Sequence, residues 1–266
     1  MIKPGDLEKL FEETYHTKAS VYRAPGRVNL IGEHTDYNDG FVMPAAINSY
    51  TWVAINARDD RKVLVRSTNF TESDEFDLDE PDPAKKGKWS DYPHGVAVML
   101  ERAGYRLKGA DILIHGEVPI GAGLSSSAAI EVSTGFALLD QAGIAIDREK
   151  LAKISQRAEN EFVGMRSGLM DQFISCFGEP ERALMLDCRS LEYKLLPLPE
   201  NAKLVICNTM VKHELGKSEY NVRRAECEEG AKIMSRSRPE IKALRDATIG
   251  DLERSRDEMS EAVYKR

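Results

Sequence analysis

Cysteine is scarce and scattered in this chain. Cys176, Cys188, Cys207 and Cys227 stand far apart, and no Cys-x-x-Cys pair occurs. That spacing excludes an obvious disulfide framework or zinc site and fits reduced thiols. Clustered basic charge is also missing. The formal net charge is −7, and no lysine- and arginine-rich stretch interleaved with aromatics appears, which argues against a nucleic-acid partner. Long apolar runs are absent too. The opening MIKPGDLEKLFEE has no signal-like core. The longest uncharged stretch, residues 40–57, carries Pro44, Asn48, Ser49, Thr51 and Asn56, too polar and interrupted for a membrane helix. A cytoplasmic protein with no membrane partner is the expectation.

What the chain does have is concentrated in three segments. Residues 119–129 read PIGAGLSSSAA. Gly121 and Gly123 allow positive φ or close approach of bare backbone, Leu124 follows, and Ser125, Ser126 and Ser127 supply hydroxyls before Ala128 opens a helix. A glycine-rich turn at a helix start presents free N–H groups and the positive end of the helix dipole, which suits a phosphate. No Gly-Lys-Ser/Thr follows, so it is not a Walker loop, and Ser126 stands where a Rossmann fingerprint needs its third glycine. A turn of this composition also caps ordinary helices.

Residues 23–40, RAPGRVNLIGEHTDYNDG, crowd Arg27, Asn29, Glu33, His34, Asp36, Tyr37, Asn38 and Asp39 where apolar alternation would otherwise continue. Such groups must be solvated, or engaged with each other and a ligand. The spacing fits no standard zinc pattern and suits a polyhydroxylated ligand better; a plain polar turn is the alternative. In residues 158–173, AENEFVGMRSGLMDQF, Asp171 sits among Leu169, Met170 and Phe173, and Gly168 permits close approach. Asp171 is then a helix cap, a salt-bridge partner or a catalytic group in a partly dry site. Glu159 is a metal ligand or a solvated helix face.

Helices are expected over residues 6–15, 94–103, from the serine loop to about 142, over 148–162 and from 168. Strands are expected over 21–31, 50–56, 62–67, 110–117, 183–187, 193–196 and 203–208. From residue 217 the chain is charge-dense and mostly helical, with breaks near Pro239 and Gly250. Mixed strands and helices indicate α/β or α+β architecture. A composition shift near Glu200 suggests domains over 1–200 and 201–266. The thin apolar stripe of the last helices (Ile241, Leu244, Leu252, Met259, Val263) suggests a C-terminal part that is incomplete.

Taken together and in order, these segments resemble the galactokinase branch of the GHMP small-molecule kinases. GRVNLIGEHTDYNDG is similar to that branch's sugar signature, PIGAGLSSSAA to the superfamily's ATP loop, and GLMDQF to the segment holding the catalytic aspartate. HELGKSEYNVRRAEC resembles the segment after the domain boundary. The resemblance implies an α+β, GHMP-kinase-like two-domain fold: an N-terminal mixed-sheet domain of the ribosomal protein S5 domain 2-like kind, then an incomplete C-terminal α+β domain. It implies ATP-dependent phosphorylation of galactose at the anomeric hydroxyl. Glu33, His34 and Asp36 would bind sugar hydroxyls, with Gly168 and Tyr220 lining the pocket. Asp171 would be general base with Arg27 beside it. ATP would lie on Gly121, Gly123, Leu124, Ser125, Ser126, Ser127 and Ala128, with Trp89 against adenine. Mg²⁺ would be held by Ser126, or Ser127, and Glu159.

Two departures stand out. The family's third glycine-rich motif, of the GGGFGG kind, has no counterpart here, and Arg166-Ser167 replaces a frequent Pro-Cys. An N-acetylgalactosamine kinase, another sugar kinase of the branch, a non-catalytic galactose and ATP sensor and an inactive fragment are the alternatives. Ser127-Ala128 and Asp171 favour the enzyme over the sensor. The oligomeric state is open, and a monomer suffices.

Overall fold

The computed structural model describes residues 4–80, 83–208 and 219–266. Its elements are α1 (Pro4–Tyr15), β1 (Ser20–Asn29), β2 (Phe41–Val42), β3 (Pro44–Arg58), β4 (Lys62–Ser67), β5 (Asp74–Asp77), α2 (Asp91–Arg102), β6 (Gly109–Gly116) and α3 (Ser126–Gln141). These are followed by α4 (Arg148–Arg157), α5 (Met170–Phe177), β7 (Arg182–Asp187), β8 (Tyr193–Pro197), α6 (Glu219–Ser235), α7 (Ile249–Arg254) and α8 (Glu261–Lys265).

Eight strands form one mixed sheet organised around the long β3. Strand β1 runs antiparallel along it from Ser20↔Ile55 to Asn29↔Pro44, and β6 pairs antiparallel with its second half. Strand β7 meets its first residues at Ala45↔Ala183, while β4 lies parallel to β6. Alternation along β3 serves two layers, because successive side chains point to opposite faces. Val53 and Ile55, with Ile112 and Ile114 of β6, face a core built with α2, α3 and α4 around Val96, Leu100, Leu138 and Leu151. Trp52, Ala54 and Leu113 face the other way and bury Leu7 and Phe11 of α1. A third cluster joins α5 (Phe173, Ile174) to β7 (Leu184, Leu186).

The structure corrects some expectations, and one lies outside the described residues. Residues 203–208 form no strand: Leu204, Val205 and Ile206 are exposed and pair with no strand among the described residues, so their β propensity has no ladder to satisfy. The start of the last helical region at residue 217 lies outside the described residues. The break expected near Gly250 falls at residues 247–248, and Gly250 itself lies in the first turn of α7, which the Thr248–Asp251 capping box initiates. The helix beginning at Arg148 is α-helical only to Arg157 and continues as a π-helical turn, Ala158–Val163.

Ala231, Met234 and Ile241 form a small cluster with Leu244, Leu252 and Met259. Ion pairs fasten this region to the sheet. Arg245 pairs with Asp187 at 2.5 Å, donates to the Asp39 carbonyl at 2.8 Å and lies over the Phe41 ring. Arg189 reaches both Asp39 and Asp246.

Candidate active site

A bulge in β1 at Pro25/Arg27 starts the site. A Cβ on Gly26 would meet the Leu124 carbonyl oxygen at 2.7 Å, so only glycine lets the serine loop lie against the strand. The Arg27 N–H then donates to that carbonyl at 3.1 Å. The Arg27 side chain forks onto Asp171, with Nε to Oδ1 at 2.8 Å and Nη2 to Oδ2 at 2.9 Å, and its Nη1 donates to the Gly123 carbonyl at 2.5 Å. Ser125 is held in the left-handed region (φ 57°, ψ 46°) and turns its Oγ to Asp171 Oδ2 at 2.5 Å. One arginine and one serine thereby tie the glycine-serine loop to the aspartate on the first turn of α5.

No side chain caps the N-terminus of α3, so the first N–H groups of this 16-residue helix remain directed at the loop. Gly121 and Gly123 both take φ 72°. Together these features make an anion cradle.

The sugar-signature residues gather on the far side of Asp171. Asp36 opens a short 3₁₀ turn, and burial followed by the neighbouring Asp171 carboxylate pushes its pKa up to about 6. A Cβ on Gly168 would fall 2.0 Å from Asp36 Oδ2, so the glycine is what allows residue 168 to close on the carboxylate. Tyr220 packs its ring 5.3 Å from His34 and 5.5 Å from Tyr37. His34 Nδ1 shares a 2.7 Å hydrogen bond with Tyr37 Oη, and burial lowers its pKa. Glu33 accepts from Asn29 Nδ2 at 2.7 Å.

Glu159 lies at the start of the π turn, whose wider return is closed by the Gly164 N–H on the Glu159 carbonyl. The residue is only 4% exposed, and its Oε2 accepts from Gln172 Nε2 at 2.9 Å and from Ser167 Oγ. Burial holds its pKa above the ordinary carboxylate range. The Ser127 hydroxyl of the loop acts in the opposite sense, lowering the Glu159 pKa against the effect of burial. Trp89 stacks on Phe70 (5.4 Å, 4°) just before α2, forming a partly open two-ring patch.

Sequence reasoning missed Ser125 as an aspartate partner, along with Glu131 and Gln172. Glu131 is wholly buried in α3, accepts from Gln172 at 2.9 Å, and is held well above its ordinary pKa by burial and by Glu159. Its signal was present: one acid among Ala128, Ala129, Val132 and Leu138, on a helix otherwise apolar enough for a core.

Residues 9–57 match the family model for the galactokinase galactose-binding signature, and residues 91–179 match that for the GHMP kinase N-terminal domain. A galactokinase of Roseiflexus is 43% identical over all of this chain and 68% of its own length. The chain belongs to the galactokinase family. A galactokinase of Chloroflexus aurantiacus is 45% identical over 95% of this chain. The crystal structure of Lactococcus lactis galactokinase complexed with galactose superposes on 98% of this chain and 69% of that one, with a TM-score of 0.87 at 36% identity. The chain spans 60–68% of the length of these curated galactokinases. The GHMP kinase fold, expected as α+β, is therefore shown, and among the described residues no helix is long and apolar enough to cross a membrane.

Proposed function

We propose that this protein transfers the γ-phosphoryl group of ATP to the anomeric hydroxyl of galactose. The observation that carries this reading is the junction at Asp171. There the signature-side Arg27 and the loop-side Ser125 grip one carboxylate, with Asp36 and Gly168 beside it. Three donors occupy Asp171: one on Oδ1 and two on Oδ2. A carboxylate offers about four acceptor sites. The remaining one, on Oδ1, is the atom that accepts the sugar's anomeric proton as its oxygen attacks phosphorus. Glu33, His34 and Asp36 orient the sugar hydroxyls, and Tyr220 closes the pocket. The free N–H groups of α3 and the loop backbone hold the triphosphate, and Arg27 sits where charge builds up. The Trp89–Phe70 patch takes adenine.

The donor set fits Mg²⁺, which prefers oxygen and commonly takes only one or two protein ligands beside substrate phosphates. No group of three or more metal-ligating side chains occurs among the described residues, so a dedicated protein cage is not expected. Glu159 and Ser127, with Ser126 adjoining, are the residues that would hold it. Bound there, it would neutralise phosphate charge.

The test is an ADP-release assay of this chain with galactose, N-acetylgalactosamine and arabinose, together with Asp171→Asn. Galactose-dependent turnover is expected. The variant should lose about 10²–10⁴-fold in kcat while retaining galactose binding by calorimetry. Near-normal turnover by the variant would rule out the base, and binding of both ligands without turnover by wild type would favour the sensor.

A further inference from the structure

Glu159 is held by residues that belong to the other half of the site. Its Oε2 accepts from Ser167 Oγ and, at 2.9 Å, from Gln172 Nε2. Ser167 directly precedes Gly168, which abuts Asp36, and Gln172 directly follows Asp171. Both donors to the carboxylate on the phosphate side are therefore peptide neighbours of residues on the sugar side. The same Gln172 Nε2 gives its second proton to Glu131 Oε2 at 2.9 Å, so both of its amide protons are committed to these two side chains. Gln172 and Glu131 are both fully buried, so water offers Gln172 no alternative partner.

Two donors converging on one oxygen make Glu159 a one-armed ligand. Oε2 is spent, and Oε1 is the atom left for a cation. We infer that Ser167 and Gln172 are positioning residues that clamp the Glu159 carboxylate, so that divalent-metal affinity at the nucleotide is set from the sugar side of the site. This inference rests on the proposed sugar-kinase reading for what the carboxylate binds. Ser167 hydrogen-bonds Asn160 Oδ1 as well, at 3.3 Å, and the Ser167 carbonyl accepts from Gln156, Asn160 and Arg224, so its backbone is anchored whether or not its hydroxyl is present. Removing the hydroxyl alone is consequently a mild change to the fold.

The test uses the whole chain with Ser167→Ala, Ser167→Cys and Gln172→Leu. Mn²⁺ is titrated by electron paramagnetic resonance in the presence of a non-hydrolysable ATP analogue, galactose affinity is measured by calorimetry, and Tm is recorded. Loss of a hydrogen bond behind a metal ligand typically weakens metal binding about 10- to 100-fold. Ser167→Ala should fall in that range with galactose affinity and Tm close to wild type. Ser167→Cys, whose thiol is a weaker donor, should recover part of the loss. In steady state the Mg²⁺ requirement should rise before kcat falls. Mn²⁺ affinity within twofold of wild type in both Ser167→Ala and Gln172→Leu would overturn the clamp, as would a Ser167→Ala loss matched by equal losses in galactose affinity and Tm. In either case a wild type that still binds galactose and metal–nucleotide leaves the sugar-kinase reading standing. A wild type that binds neither ligand removes both.

Discussion

Asp36 shows how much one residue's environment adds to its chemistry. Its pKa is raised from 3.8 to about 6 by burial and by Asp171, so the folded state favours the neutral form. Between those two values the folded protein binds more protons than the unfolded chain, and stability falls as pH rises through the window. Above about pH 6 the full cost of the buried charge is present. Asp36→Asn should therefore raise Tm at pH 7, by about 1–3 kcal/mol in stability, with the gain vanishing below pH 4. Thermal melts of both proteins from pH 3.5 to 8 check this, and a constant difference across that range would contradict it. The polar crowding of residues 23–40 made Asp36 legible as a site residue. Its partner Gly168 lies far along the chain, and no local pattern announces the contact. The same holds for Ser125, whose hydroxyl looks like part of a phosphate loop in sequence and is found on Asp171 in space.

At the scale of elements, the loop and β1 act as one piece because Gly26 lets them touch. Gly26→Ala would drive a Cβ to 2.7 Å from the Leu124 carbonyl, and backbone cannot yield as a side chain tip can. The expected result is a loss of about 1–3 kcal/mol in stability and a KM for ATP that rises more than the KM for galactose. Denaturant melts and substrate titrations measure both. Most elements were legible, since β3, β6 and α1 carry clear periodicity. The π turn was not, because its sequence continues a helical pattern and the wider return shows only in the Gly164 N–H meeting the Glu159 carbonyl. The apolar run at residues 203–208 misled for the opposite reason: a strand is a property of a pair, and periodicity describes only one member.

Across the whole molecule, the C-terminal helices reach the sugar loop through Arg245. Its guanidinium joins Asp187, the Asp39 carbonyl and the Phe41 ring, all flanking the turn that carries Asp36. Exposed ion pairs are worth about 0–1 kcal/mol, so Arg245→Ala should cost roughly 1 kcal/mol in stability. Its larger expected effect is on the loop. Galactose affinity should drop by about threefold at low salt, with the difference shrinking as ionic strength rises and screens the pairs in wild type. Calorimetry at two salt concentrations tests this, and an unchanged affinity at low salt would show that the turn needs no such anchor.

The wiring of β3 sets an order of events during synthesis. Its first residues wait for β7, joined at Ala45↔Ala183, and Arg27 waits for Asp171, 144 positions later. At about 5–20 residues per second, a nascent chain spends on the order of ten seconds with that pairing open and a guanidinium lacking its carboxylate. By the end of that interval the nascent chain carries β1 to β6 but neither β7 nor β8, and the helix bearing Asp171 must emerge before Arg27 can make its pair.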